Sequence, residues 1–228
     1  RIDVDVLVVG GGATGLAAAV SVARGGLRTM LVERHGFCGG GAVAGLSGTI
    51  CGLYEAEDNP SRPKQLVHGF VDEFIAAMEA RGGLADPVRY GKTFTRVHDP
   101  LVWRETADSL LTDSGVRLVY HATAVGVHRS GDRVDGALIW TKSGVLDVRA
   151  SITIDASGDA DLIAMGGFET WCGANGGWLE APHYMTVSMD SIIAVSLADV
   201  GRRARPLTHR STDPIESTST GARSNCSP

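Results

Sequence analysis

Residues 4 to 15, VDVLVVGGGATG, constrain the fold of this 228-residue chain more than any other stretch. The apolar run, rich in β-branched residues and ended by Gly10, reads as a strand buried on both faces of a parallel sheet. Ala13 to Arg24 carry Ala17, Ala18 and Ala19 among good helix formers, and the Gly25-Gly26 pair behind them predicts where that helix stops. Thr29 to Val32 make a second apolar strand that ends in Glu33. Two parallel strands joined within about thirty residues need a crossover, and the intervening helix supplies it, so the fold begins as α/β.

The same rules extend down the chain. From Lys64 to Ala80, Val67, Phe70, Val71, Phe74, Ile75 and Met78 recur at helical spacing, which predicts an amphipathic helix. Asp99-Pro100 is an N-cap followed by proline at the first helical position, and the helix it starts runs toward Ser114 and stops at Gly115. Val116 to Tyr120 return to β character. In residues 124 to 140 the Ser130-Gly131-Asp132 turn separates two β-rich runs, a small antiparallel excursion, and Ser151 to Ile154 re-enter the sheet. The expected organisation is a nucleotide-binding domain over 1–165 with a helical insertion at about 46–98. A second domain starts over 166–190, and a tail over 191–228, poor in periodic apolar residues, reads as disordered or non-native.

Composition removes several function classes. With 43% hydrophobic residues and a net charge of −5, the chain reads as globular, with no charge excess to suggest nucleic acid as a partner. The arginines of the tail are interrupted by Asp213 and Glu216 and lack aromatic neighbours to stack on bases. Apolar runs are broken well before the roughly 20 residues a membrane helix needs. The four cysteines, Cys38, Cys51, Cys172 and Cys226, show no C-x-x-C spacing, so a reduced, cytoplasmic setting is expected. His35, His68, His98, His121 and His183 lack metal-ligand spacing, and no metal is expected.

The chemistry concentrates in the first turn. Gly10, Gly12 and Gly15 satisfy G-x-G-x-x-G in the one context that gives it meaning, between a strand and a helix. Gly10 permits the tight turn, Gly12 lets the backbone approach a pyrophosphate, and Gly15 lets the helix pack on the strand, so that an anion meets free N–H groups at the helix start. Glu33 follows Gly15 by 18 positions, close to the spacing of about 20 expected for an acid that binds an adenosine ribose. Its charge would repel a 2′-phosphate. NAD and FAD both meet these terms. The second glycine cluster, Gly39 to Gly41 in ERHGFCGGGAVAG, separates them, because backbone with little side-chain cover can follow the longer pyrophosphate and ribityl part of a flavin.

With these stations in order, the sequence resembles the FAD-dependent oxidoreductases of the two-dinucleotide-binding-domain type, most closely a bacterial branch with an ER-x-GF-x-GG-x-A motif. The resemblance implies a Rossmann-like FAD-binding domain with a central parallel sheet and the start of a substrate domain. It implies that Gly10, Gly12, Ala13, Thr14 and Gly15 bind the FAD pyrophosphate, that Glu33 holds the ribose with Arg34 beside it, and that Gly39, Gly40, Gly41 and Ala42 run toward the flavin ring. YHATAV, residues 120 to 125, resembles the strand whose backbone near Ala124 meets the adenine. TIDASGDADL, residues 153 to 162, resembles the turn in which Gly158 and Asp159 close over the cofactor. Val43 stands where relatives often carry Thr or Ser. WLEAPHYMTVSMD, residues 178 to 190, looks like the first strand of the substrate domain, after which the likeness stops, so the chain reads as a C-terminally truncated or frame-altered member.

The implied function is transfer of a hydride or electrons through bound FAD, between a small-molecule substrate or electron donor and an acceptor. The alternatives are an inactive FAD- or ADP-binding remnant and an NAD-dependent dehydrogenase, the latter leaving residues 36 to 45 and 153 to 162 unexplained. A flavin carries its own redox chemistry, so no catalytic acid or base is singled out. Asp155 and Asp159 sit at a strand end and in a turn, where their side chains need not meet.

Overall fold

The computed structural model describes residues 1–168; the expectations for 169–190 and for the tail lie outside these residues. The first strand, β1, is Ile2–Val9, the helix α1 is Ala13–Arg24, and β2 is Thr29–Val32. Helix and second strand match the sequence reading residue for residue. β1 pairs in parallel with β2 from Val6↔Thr29 to Val9↔Val32. Both faces of β1 are covered. Val6 and Val8 pack with Leu16 and Val20 of α1, while Leu7 and Val9 face Met30, Ile139 and Val148 on the other side. Leu7 is fully buried, and a side chain of that size taken out of water stabilises by about 1.5–3 kcal/mol.

The second glycine cluster forms a single turn of helix, α2, Gly40–Val43, followed by a two-residue strand β3, Thr49–Ile50. The helix predicted over 64–80 is shorter: α3 spans Phe70–Ala80. Periodicity alone misplaces its start, because Gly69 takes φ 92° and its N–H donates to the Asp72 carboxylate at 2.8 Å, which fixes the N-terminus there. Residues before it hydrogen-bond across a loop instead, Glu55 N to Lys64 O and Leu66 N to Leu53 O, both 2.8 Å. Two more strands, β4 (Val88–Tyr90) and β5 (Thr93–Val97), complete a three-stranded antiparallel sheet in the order β3-β5-β4. The stretch 46–98 therefore carries this sheet as well as a helix; strands this short leave little alternation to read.

Asp99 caps α4, Pro100–Asp113, accepting from Leu101 N at 2.7 Å and Val102 N at 3.2 Å, as its sequence predicts. β6, Arg117–Val119, joins β2 in parallel. The antiparallel excursion is β7, Thr123–Ser130, and β8, Arg133–Thr141, turning at Gly131 and Asp132. The re-entry predicted at 151–154 is the end of a longer strand, β9, Gly144–Asp155. Its first part pairs antiparallel with β8 and the stretch from Val148 onward pairs in parallel with β1, from Ile2↔Val148 to Val9↔Asp155. The excursion and the parallel core are thus one mixed six-stranded sheet, in the order β6-β2-β1-β9-β8-β7. A short helix, α5, Asp161–Met165, follows β9. Among the described residues no helix is long and apolar enough to cross a membrane.

Candidate functional site

The carboxyl ends of β1, β2 and β9 bring the sequence-predicted stations together. Gly10 turns the chain out of β1 at φ 103°, and a Cβ there would fall on the Ala156 carbonyl that follows β9. At Gly15 a Cβ would fall on the Gly10 carbonyl oxygen, so the glycine is what lets α1 sit against the turn. Gly12 differs. It is the N-cap residue of α1 with no side-chain cap, and among the described residues beyond its chain neighbours a Cβ added to it would meet just Gly40 Cα, at 3.8 Å. Ala13 and Thr14 are exposed beside it. The opening turn of this twelve-residue helix therefore offers backbone N–H groups and positive dipole to an anion without side-chain cover.

The second glycine cluster packs directly on the first. Gly39 N donates to Gly11 O at 2.8 Å, and a Cβ on Gly40 would stand 2.9 Å from Gly12 Cα. Gly39, at φ 143°, would collide with Val43 if it carried a side chain. Two loops far apart in sequence thus form one wall of bare backbone. Gly41 is exposed and Ala42 half-buried on α2 beside it.

Glu33 closes the other side. It is buried, with Oε2 accepting from Gly11 N at 2.6 Å and Oε1 from His35 N at 2.8 Å. The carboxylate oxygens each accept from one backbone donor and keep further acceptor capacity. The part of Gly11 and His35 in holding it escapes a reading by residue type, since both act through main-chain N–H groups. Arg34 is exposed, and its charge opposes the upward shift that burial, then Asp159 and Asp155, impose on the Asp161 carboxyl.

The segment after β6 runs along the loop after β2, with Ala122 N donating to Glu33 O at 3.0 Å and His121 N to His35 O at 3.1 Å. Ala124 follows on β7, buried. Gly158 and Asp159 sit exposed in the turn between β9 and α5. Asp155 and Asp159 do not act as a pair: the Asp155 carboxylate is taken up by Ser157, Leu162 and Ile163.

Beneath the second glycine loop the sequence reading missed a polar cluster. The Tyr120 hydroxyl donates to Asp108, and the Cys38 thiol, fully buried, is pushed up to about 12, chiefly by burial. Cys38 and the exposed Cys51 are both free. Phe37 stacks on His35 at 5.3 Å and lies under the Arg104 guanidinium at 3.7 Å. No motif announces these contacts, since residues 37 and 104 meet only through the fold. Among the described residues no group of His, Cys, Asp or Glu side chains could hold a metal ion.

The family model described as FAD dependent oxidoreductase matches residues 5–224. The chain is 25% identical over 197 residues to the digeranylgeranylglycerophospholipid reductase of Picrophilus torridus, covering 84% of this chain and 48% of that protein. It is 41% identical over 86 residues to the aklavinone 12-hydroxylase DnrF of Streptomyces peucetius, covering 37% of this chain and 15% of the hydroxylase. The chain thus spans about half the length of the first of these relatives, and less of the second. Among solved structures, a geranylgeranyl bacteriochlorophyll reductase-like protein from Thermoplasma acidophilum superimposes with a TM-score of 0.57 at 22% identity, covering 76% of this chain and 44% of that one. This is a likeness of fold.

Proposed function

The chain belongs to the FAD dependent oxidoreductase family, and we propose that it holds FAD across the two glycine loops and serves electron transfer between that flavin and a small-molecule substrate. FAD is the cofactor of this family and supplies the hydride- or electron-transfer chemistry when bound. The single observation that carries the placement is the bare wall at Gly12 and Gly40, where, chain neighbours aside, an added Gly12 Cβ meets among the described residues just another glycine. The residues fit the group. Gly10, Gly12, Ala13, Thr14 and Gly15 present the helix start to the pyrophosphate, and Gly39, Gly40, Gly41 and Ala42 line its course toward the flavin. Glu33, pre-set by Gly11 and His35, accepts from the adenosine ribose. Arg34 flanks it, the backbone near Ala124 meets the adenine, and Gly158 with Asp159 closes the far side.

What these residues do is bind and orient. The backbone donors neutralise phosphate charge without a side chain that could block the approach, and the buried Glu33 rejects a 2′-phosphate through its own charge. The order ER-x-GF-x-GG-x-A from Glu33 to Ala42 supports placing the chain in the bacterial branch of that motif. A cytoplasmic setting belongs to the same reading, in keeping with the free thiols of Cys38 and Cys51.

The test is the visible spectrum of the purified chain after reconstitution with FAD, followed by anaerobic addition of reduced nicotinamide. A bound flavin spectrum that bleaches is expected. A chain that binds no flavin refutes the placement, and one whose bound flavin stays oxidised under reduced nicotinamide refutes electron transfer from that donor while leaving the binding site standing.

A further inference from the structure

We infer that Asp155 is a positioning residue for the cofactor. Resting on the FAD reading above, its carboxylate holds the Gly158–Asp159 turn in the arrangement that faces the glycine cradle. Asp155 ends β9 in register with Val9, the residue before the cradle begins, and is 7% exposed. Its two oxygens are divided between two tasks. Oδ1 accepts from Ser157 N at 3.1 Å and from Ser157 Oγ at 2.6 Å, which folds the chain back immediately after the strand. Oδ2 accepts from Leu162 N at 2.9 Å and Ile163 N at 3.2 Å, which pins the start of α5 to the strand end. Ser157 Oγ in turn accepts from Asp161 N at 3.0 Å, so the loop is tied at both ends through one carboxylate.

One residue between these ties is in a conformation its backbone would not hold unaided: Ala160 has φ 58°, left-handed and unfavourable for a residue with a Cβ. The turn is also anchored toward the cradle: Ala156 N donates to Val9 O at 2.8 Å, and the Ala156 carbonyl lies where Gly10 leaves no room for a side chain. The four hydrogen bonds of this short side chain fall on either side of the exposed residues 158 and 159, fix the path of the chain between them and so orient what those residues touch.

The experiment is FAD titration, by quenching of flavin fluorescence, into the deflavinated 228-residue chain and three variants, with thermal unfolding of each apo protein alongside. Asp155→Asn turns one acceptor oxygen into a donor facing N–H groups and is expected to weaken FAD binding about tenfold. Ser157→Ala removes only the hydroxyl ties and is expected to weaken it about threefold. Val148→Ala opens the core far from the turn and is expected to lower the unfolding midpoint with FAD affinity unchanged. The visible circular dichroism of the bound flavin should change in Asp155→Asn and not in Val148→Ala. If Asp155→Asn fails to fold, Ser157→Ala decides. Wild-type affinity in both turn variants overturns the inference, as does an affinity loss in Val148→Ala proportionate to its lost stability. A wild-type chain that binds no FAD instead refutes the cradle itself.

Discussion

The sharpest consequence of the cradle concerns Gly12. Its backbone, at φ −70° and ψ −177°, is open to any residue, and among the described residues beyond its chain neighbours the Cβ that Gly12→Ala adds meets just Gly40 Cα at 3.8 Å, ordinary van der Waals contact. The folded protein should hardly register the change: alanine is a slightly poorer N-cap than glycine but restrains the unfolded chain, so stability should stay within about 1 kcal/mol. The methyl group instead occupies the space in which a pyrophosphate would lie against the helix start. Displacing that anion costs the charge-assisted hydrogen bonds to the first amides, about 1.5–3 kcal/mol, which corresponds to a roughly ten- to 150-fold weaker Kd for FAD. Gly15→Ala is the control, since its Cβ falls on the Gly10 carbonyl oxygen and must push α1 off the turn, an overpacking of about 1–3 kcal/mol visible in urea unfolding. Calorimetric FAD titration and urea denaturation of both variants separate the effects. A Gly12→Ala protein that binds FAD as tightly as wild type would refute the placement of the pyrophosphate.

Three further outcomes are expected. Glu33→Gln places an amide donor against Gly11 N or His35 N, both of which now donate to the carboxylate; it should destabilise the chain by about 1–3 kcal/mol in urea and weaken FAD binding as well. Brief alkylation at pH 8 with peptide mapping should modify the exposed Cys51 and leave Cys38 unmodified until the protein is denatured, because burial pushes the Cys38 thiol up to about 12. Burial of His98 lowers its pKa from the ordinary 6.5, so below that value the unfolded chain takes up a proton that the folded chain resists. Its contribution to stability is complete above pH 6.5 and is lost as the pH falls toward the lowered folded value, so thermal unfolding measured from pH 7.5 down to 5 should fall less steeply in His98→Phe than in wild type.

The legibility of the fold followed the range of the interactions involved. Helix α4 is legible at both ends because its Asp99 cap and proline, and its terminal Gly115, each act on the turn beside them, whereas periodicity carries α3 too far upstream because Gly69 and Asp72 set its start. The strands of the small sheet, two to five residues long, carry too few alternations to declare themselves. Glu33 was found from its spacing, yet the amides that hold it belong to residues no pattern marks.

The sequence by itself determined the β1-α1-β2 unit and its glycine turn, because burial on both faces, helix propensity and turn geometry are local requirements that few residue types meet. Only the tertiary structure decided that Gly40 would come to rest against Gly12, that β9 would join the antiparallel excursion to the parallel core, and that Asp155 would bind the turn behind the cradle. The first of those contacts joins residues 28 positions apart and the others are made to backbone groups common to every residue, so no residue type announces them, and their energy exists only once the chain has closed the loops between them.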